Sequence, residues 1–494
     1  MQICKLDSPI AYRKQMQPAI DGCVMTQRFG VAEVPSSQGW RTRLLQQSSF
    51  RRAFAFLAAL LVLTTSPGVL AAERNYLTAE QRRADFEAFC AFVKDEYAYL
   101  DQKATDWPRA CGYYSGLAEH AENRDGFIHA LEGGLAELYD HHAHLGTNTD
   151  ASSRLVPSQT DVMATWRADK AFVVAVRQDS AAARAGLREG EEIISINGLA
   201  ILQAVTAVAP RFVRPGDEAA RRWALQVALA GRHDQPELRL RVRVGDKMIE
   251  HRFAPSFAAA ASSLTWRSSE NVGYMRINNA LGDATLVPEF DKGLSAMRDT
   301  SALLIDLRDT PSGGNSTVAR GILGRLVDKP LPYQRHELIA EFRKTGIRRL
   351  WVEYVAPREW TFRKPVVVLV GPWTGSMGEG LAIGLNATLN APVVGRPMAH
   401  LLGALGELSL PNSHIVVRIP TERLFHVNGL PREAFLPCVL SPLVGSLHDD
   451  DPELSAALAL AKAAGSARGE RKPAANCAQE AGLAPIVRGS AASS

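Results

Sequence analysis

The spacing of hydrophobic positions changes twice along the chain. From Thr78 to about Tyr139 apolar residues recur every three or four positions. Phe86, Phe89, Val93 and Tyr97 share one face of "TAEQRRADFEAFCAFVKDEYAYL", and "NRDGFIHALEGGLAELYD" continues the helical pattern. Thr78 with Gln81 three residues on predicts a capping box at the first helix start. From about Asp161 to Phe253 the period shortens to two. "ELRLRVRVGDKMIEHRF" alternates apolar and charged residues around Gly245-Asp246, as a half-buried strand pair does. "AFVVAVRQDSAAARAGLREGEEIISINGLAI" reads as strand, short helix, turn and strand, then a reverse turn at Asn197-Gly198. From Leu264 to about Lys462 the apolar strands "VGYMRIN", "ALLIDLRD" and "KPVVVLV" alternate with helical stretches, which predicts an α/β layer with parallel strands.

The expected fold class is therefore α+β and multidomain. It comprises a leader (1–72), an N-terminal helical domain (73–155), a β-rich domain (156–255), an α/β core (256–465) and a loose tail (466–494). In the leader, Arg51-Arg52 precede the apolar run Ala53–Leu63, and small residues follow up to Ala72. That order is the pattern of a cleaved secretory signal, with an uncleaved membrane anchor as the alternative. An exported, periplasmic or secreted protein is expected, soluble once the leader is removed. Translation starting at Met25 or later would shorten an otherwise long n-region.

Charge then changes the picture. The chain carries a formal +4, but residues 1–72 hold eight basic residues against three acidic ones. The remainder sits at −1, so a nucleic-acid partner loses its electrostatic support. Four cysteines follow the leader, compatible with two disulfides in an exported protein; proximity favours Cys90–Cys111 and Cys438–Cys477. Their spacing matches no compact zinc site, and neither cofactor nor metal is expected.

The chemistry concentrates on "VVVLVGPWTGSMGEGLAIGL", where an apolar strand enters a glycine-rich turn and then a helix. Ser376 at the hinge has Glu379 three residues on, which is a capping box. A serine on such a turn is also how several hydrolases expose a nucleophile, and local sequence leaves both readings open. The stretch lacks the lysine of a phosphate-binding loop, and "SGGNS" is not a dinucleotide-binding turn.

Two resemblances extend this reading. "SAAARAGLREGEEIISINGL" is similar to the PDZ signature of exported bacterial proteases, with Glu191 at the usual Asp position. PDZ domains bind extended peptides by adding a strand to a sheet edge, although no Gly-Leu-Gly-Phe-type loop precedes Phe172. Helices, a PDZ-like module and a Gly-x-Ser turn in that order resemble the C-terminal processing and tricorn-type serine peptidases, over residues from about 74 to 462. "LLIDLRDTPSGGNS", "GPWTGSMGEGLA" and the segment "LPNSHIVVRIPTERLFHVNGLPREAFLPCVL" carry the match, with Thr310 in place of the usual Asn. The resemblance implies a crotonase/ClpP-like core and cleavage of peptide or protein substrates.

That family activates its serine with a downstream lysine or with a histidine from before the PDZ domain. No lysine occurs between Ser376 and Lys462, which leaves histidine as the general base. "LYDHHAHLGT" resembles the family's Asp-x-His turn and aligns His142 as the base. His141 and Ala143 depart from the usual small and hydroxyl residues. His400, near the other branch's lysine position, is the rival, and a solvated histidine loop or chance metal patch is the bland alternative. The resemblance further implies Glu433 as the carboxylate orienting the imidazole. It also implies an oxyanion hole from the Met377 amide with that of Gly313 or Gly314, glycines that a tight turn alone would also explain. Two other function classes remain at this point: a non-catalytic peptide- or lipophile-binding relative, and a PDZ-bearing scaffold.

Overall fold

The computed structural model describes residues 77–255, 262–440 and 451–466. The leader, Cys477 and the C-terminal tail lie outside the described residues. Among the described residues no helix is long and apolar enough to cross a membrane.

Three helices, Ala79–Glu96, Trp107–Glu119 and Arg124–Ala136, build the N-terminal part. Thr78 caps the first, and Gln81 returns the bond to the Thr78 N–H, satisfying two otherwise free amides. Phe86, Phe89 and Val93 face Phe127 and Leu131 in a buried cluster, and a Cys90–Cys111 disulfide ties the first helix to the second. Val417 and Ile419 of a later strand join the same cluster, so the helices pack directly on the C-terminal part of the described chain.

The middle part is a sheet with strand order 162–167, 170–176, 192–196, 238–244, 247–253. Asn197 and Gly198 take positive φ values of 51° and 86°, the backbone of a tight reverse turn. The edge strand Val162–Arg167 is covered by the helix Glu218–Ala230. Gln226 of that helix donates its side-chain amide to the Ala164 carbonyl (2.5 Å) and accepts from the Ala164 N–H (3.4 Å). Trp166 on the same strand donates its indole N–H to the Arg221 carbonyl (3.2 Å). Gln226 thus occupies the backbone groups that an added peptide strand would use at this point.

The core holds two sheets. The first runs 439–440, 393–395, 366–370, 302–306, 272–277, 264–269 and is parallel except for its last pair. Its central strands, Ala302–Asp306 and Val366–Val370, are buried at every position, because both faces are covered. Helices Leu286–Ala296, Ser316–Leu323 and Met377–Leu389 contribute to the core on one side, and Pro452–Ser466 covers the other with Ala457 and Ala461. The second sheet, antiparallel, is not anticipated by the α/β pattern. It contains Leu331–Leu338, Arg349–Val355, Ala404–Ser409 and Val416–Phe425. His144 and Leu145 pair with Arg418 and Val417 of its long strand, which draws the histidine turn of the N-terminal part into the core.

Replacing Gln226 by Ala should free the Ala164 amide. Hydrogen exchange at that amide should speed up by about tenfold, the scale of one net hydrogen bond. Unchanged exchange would show that Gln226 does not guard the strand edge.

Candidate active site

The buried strand Val366–Val370 ends at Gly371, and the chain turns before the helix Met377–Leu389. Ser376 stands at the turn with φ 51° and ψ −114°, a conformation that is strained for a residue with a side chain. A second turn faces it. A side chain at Gly313 would place its Cβ 2.9 Å from Ser376 Oγ and 2.8 Å from the Met377 nitrogen. Gly313 also has φ 63°, so this position excludes other residues twice over. Gly314 abuts Leu281, whose carbonyl carbon would lie 2.0 Å from an added Cβ.

Thr310 locks the two turns together. Its N–H donates to Trp373 (3.2 Å), its carbonyl accepts from Gly375 (3.2 Å) and its hydroxyl donates to Leu307 (2.8 Å). The Gly313 N–H is committed to the Thr310 carbonyl at 3.1 Å. Among the described residues the amides of Gly314 and Met377 have no such partner.

The group that holds the site together is Glu379. It is fully buried and accepts from the Ser376 N–H (2.9 Å) and the Leu401 N–H (3.2 Å). Burial raises its pKa to about 7, opposed by Arg432 and by the amides it accepts from. Arg432, equally buried, donates to the carbonyls of Leu401 (2.8 Å) and Gly403 (2.9 Å). The segment 400–403 is therefore clamped from two sides, and it carries His400 at a positive φ of 55°.

His142 reaches the same segment from the N-terminal part. Asp140 accepts from the His142 N–H (2.9 Å) and from the Tyr97 hydroxyl (2.8 Å), fixing the turn. The ring Nδ1 lies 2.6 Å from the Leu402 carbonyl. A carbonyl only accepts, so Nδ1 carries the proton and Nε2 keeps its lone pair. Burial, then Arg432, lowers the His142 pKa to about 3, which keeps the ring neutral.

The carboxylate expected at this imidazole is not Glu433. The Leu402 carbonyl accepts from His142 Nδ1–H, while Glu433 sits in the short 3₁₀ turn Arg432–Ala434 and presents its backbone carbonyl to His400 Nδ1 (2.6 Å). The Glu433 carboxyl is buried near Tyr99, and burial raises its pKa. His400 has the same protonation pattern as His142, with its pKa also lowered by burial. The other two histidines of the cluster diverge. His141 stacks on Trp223 (5.9 Å between centroids), and His144 bonds the His142 carbonyl through Nδ1 (2.9 Å). No group of His, Cys, Asp or Glu among the described residues is placed to hold a metal.

The middle domain touches both turns. Trp373, three residues before Ser376, donates its indole N–H to the Thr160 carbonyl (2.9 Å), and Arg177 pairs with Asp309 (2.5 Å), beside Thr310. Arg432, Leu402 and the central place of Glu379 escape sequence reasoning. The one available signal is an Arg directly before Glu433, and nothing local says that a backbone carbonyl will serve His142.

A strand-to-helix serine facing a glycine turn, with a buried histidine and a PDZ-type module ahead of it, defines a serine-peptidase architecture. The profile of peptidase family S41 matches residues 271–433, and that of the PDZ domain matches residues 172–210. The core thus matches a family of serine peptidases over residues 271–433, and a PDZ-type region lies ahead of it. The fold is similar to that of mature CPAF complexed with lactacystin, at 15% identity and TM-score 0.52, covering 78% of this chain and 98% of that one. It is also similar to the photosystem II D1 C-terminal processing protease, at 15% identity and TM-score 0.50, covering 80% and 100%. No curated protein matches the sequence.

Replacing Arg432 by Leu strands two buried carbonyls and removes the cation beside Glu379. A loss of roughly 3–5 kcal/mol in urea unfolding is expected. An unchanged midpoint and slope would contradict the clamp.

Proposed function

We propose that the protein is an exported serine endopeptidase. Ser376 attacks a peptide carbonyl while His142 Nε2 takes its proton. The amides of Met377 and Gly314 receive the oxyanion, and water then releases the acyl-enzyme. The observation that carries this reading is the shared support. Glu379 bonds both the Ser376 amide and the Leu401 amide, and Leu402 bonds His142, so serine and histidine are fixed to one short segment. Gly313 contributes by having no side chain beside Ser376 Oγ, and Gly314 by an uncommitted N–H. Export is favoured by the leader pattern and by the Cys90–Cys111 disulfide, since disulfides persist in oxidising compartments.

The PDZ domain is the natural first contact for an extended peptide segment, with Gln226 as the group such a segment must displace. A second reading, a non-catalytic binding relative, draws on one specific feature: the imidazolium formed at His142 would have a carbonyl and no carboxylate for support. Glu433 bonds His400 through its backbone carbonyl and does not fill that role here.

Cleavage of unfolded casein by the purified protein should vanish in Ser376→Ala, whereas equal cleavage by that variant would eliminate the acyl-enzyme. The pH profile distinguishes the buried groups. His142 stays neutral down to about pH 3, so it adds no acid limb near neutrality. Glu379, with a pKa of about 7, loses its charge as pH falls, and the amides of Ser376 and Leu401 then lose a strong acceptor. kcat/KM should therefore fall below about pH 7, and this limb should disappear in Glu379→Gln. A limb unchanged by that substitution would assign the titration elsewhere.

A further inference from the structure

A cavity of about 580 Å³ lies on the far side of the histidine turn, between the N-terminal helices, the PDZ-domain helix and the end of the strand Val416–Phe425. Its volume is within the roughly 300–1,000 Å³ typical of small-ligand sites. Neither Ser376 nor His142 lines it, although His141 and Ala143 on either side of His142 do. Leu135, Ala136, Leu155, Val156 and Val227 give it an apolar wall, with Trp223 stacked on His141.

The charged groups on its wall differ in how they are satisfied. Arg418 pairs with Glu407 at 2.6 Å. Asp140 is bonded to Tyr97 and His142, and burial raises its pKa. Glu132 is likewise pushed by burial toward its neutral form. Arg154 is the exception. It is only 8% exposed and donates to two backbone carbonyls, Ala230 (3.1 Å) and Gln235 (2.7 Å). Neither nearby acid pairs with it. Asp234 pairs with Arg232 at 2.7 Å, and Asp161 accepts from the Ala182 amide at 3.2 Å. Asp234 and Asp161 act on Arg154 only through space, and a buried cation with no acid in direct contact is costly, a cost that an anion entering the cavity would relieve.

We propose that this cavity binds an apolar chain ending in a carboxylate, with the carboxylate at Arg154 and the chain along the Leu135–Val227 wall. Arg154 suits a carboxylate because its planar guanidinium offers several parallel donors. Two sources present this chemistry: a fatty acid and the free C-terminus of a peptide ending in an apolar residue. The inference is independent of the chemistry at Ser376, because it is read from direct binding.

Calorimetric titration of the Ser376→Ala protein separates the sources. The probes are decanoate against decanol, and acetyl-Ala-Ala-Leu against its C-terminal amide. At least one acid should bind about tenfold or more tightly than its uncharged partner, as expected for a charge-assisted contact. Decanoate alone would name the lipid source, the peptide acid alone the C-terminal source, and both acids a site that reads only the shared chemistry. Arg154→Gln should erase the preference. Ala136→Trp, which fills the cavity and leaves the Arg154 bonds in place, should abolish binding of every probe even if Arg154→Gln does not fold. Binding of neither acid, equal binding of acids and uncharged partners, or normal binding to Ala136→Trp would overturn the proposal.

Discussion

The catalytic region depends on one buried carboxylate. Glu379 lies at the start of a helix in the middle of the core, and its Oε2 is where two unrelated segments meet. Deprived of it, the Ser376 turn and the segment 400–403 would each carry buried amides without partners, a penalty of about 1–3 kcal/mol apiece. Arg432 answers from the other side by binding the carbonyls of the same segment. The pair clamps a loop that has no regular secondary structure of its own, and the positive φ values of Ser376 and His400 persist because their surroundings are fixed.

Everything else at the site hangs from that loop. Leu402 sets the tautomer of His142 through its carbonyl, while Asp140 and the two-residue strand His144–Leu145 bring the histidine in from a different part of the chain. Thr310 ties the glycine turn to the serine turn, and Trp373 and Arg177 bind these turns to the PDZ domain. A buried polar network of this kind is rigid when complete, and it loses several bonds together when one member is removed.

The periodicities of the sequence locate the helices, the β-rich module and the parallel layer, because each reports a local pattern of burial. The Thr78 capping box and the Asn197-Gly198 turn are legible for the same reason: their chemistry lies within four residues. The second sheet is not legible, since its pairing of His144 with Arg418 joins residues far apart in the chain. The same limit applies at the site. Ser376 announces itself by its strand–turn–helix setting, and Gly313 by the turn it must make. Glu379 reads locally as a helix start, and only the tertiary fold turns it into a hub. Glu433 reads as a catalytic carboxylate, whereas the bond to His142 comes from a backbone carbonyl, a group that every residue has and no sequence pattern marks.

The account stands on His142, held by the clamped segment, as the group that activates Ser376. The most direct measurement is the second-order rate at which a fluorophosphonate modifies the protein, with the modified residue located by peptide mass mapping. His142→Gln and His400→Gln are compared with the unaltered chain. The account predicts modification at Ser376, slowed about 100-fold or more in His142→Gln and little changed in His400→Gln. Undiminished labelling in His142→Gln with loss in His400→Gln would contradict it and transfer the base to the clamped segment itself.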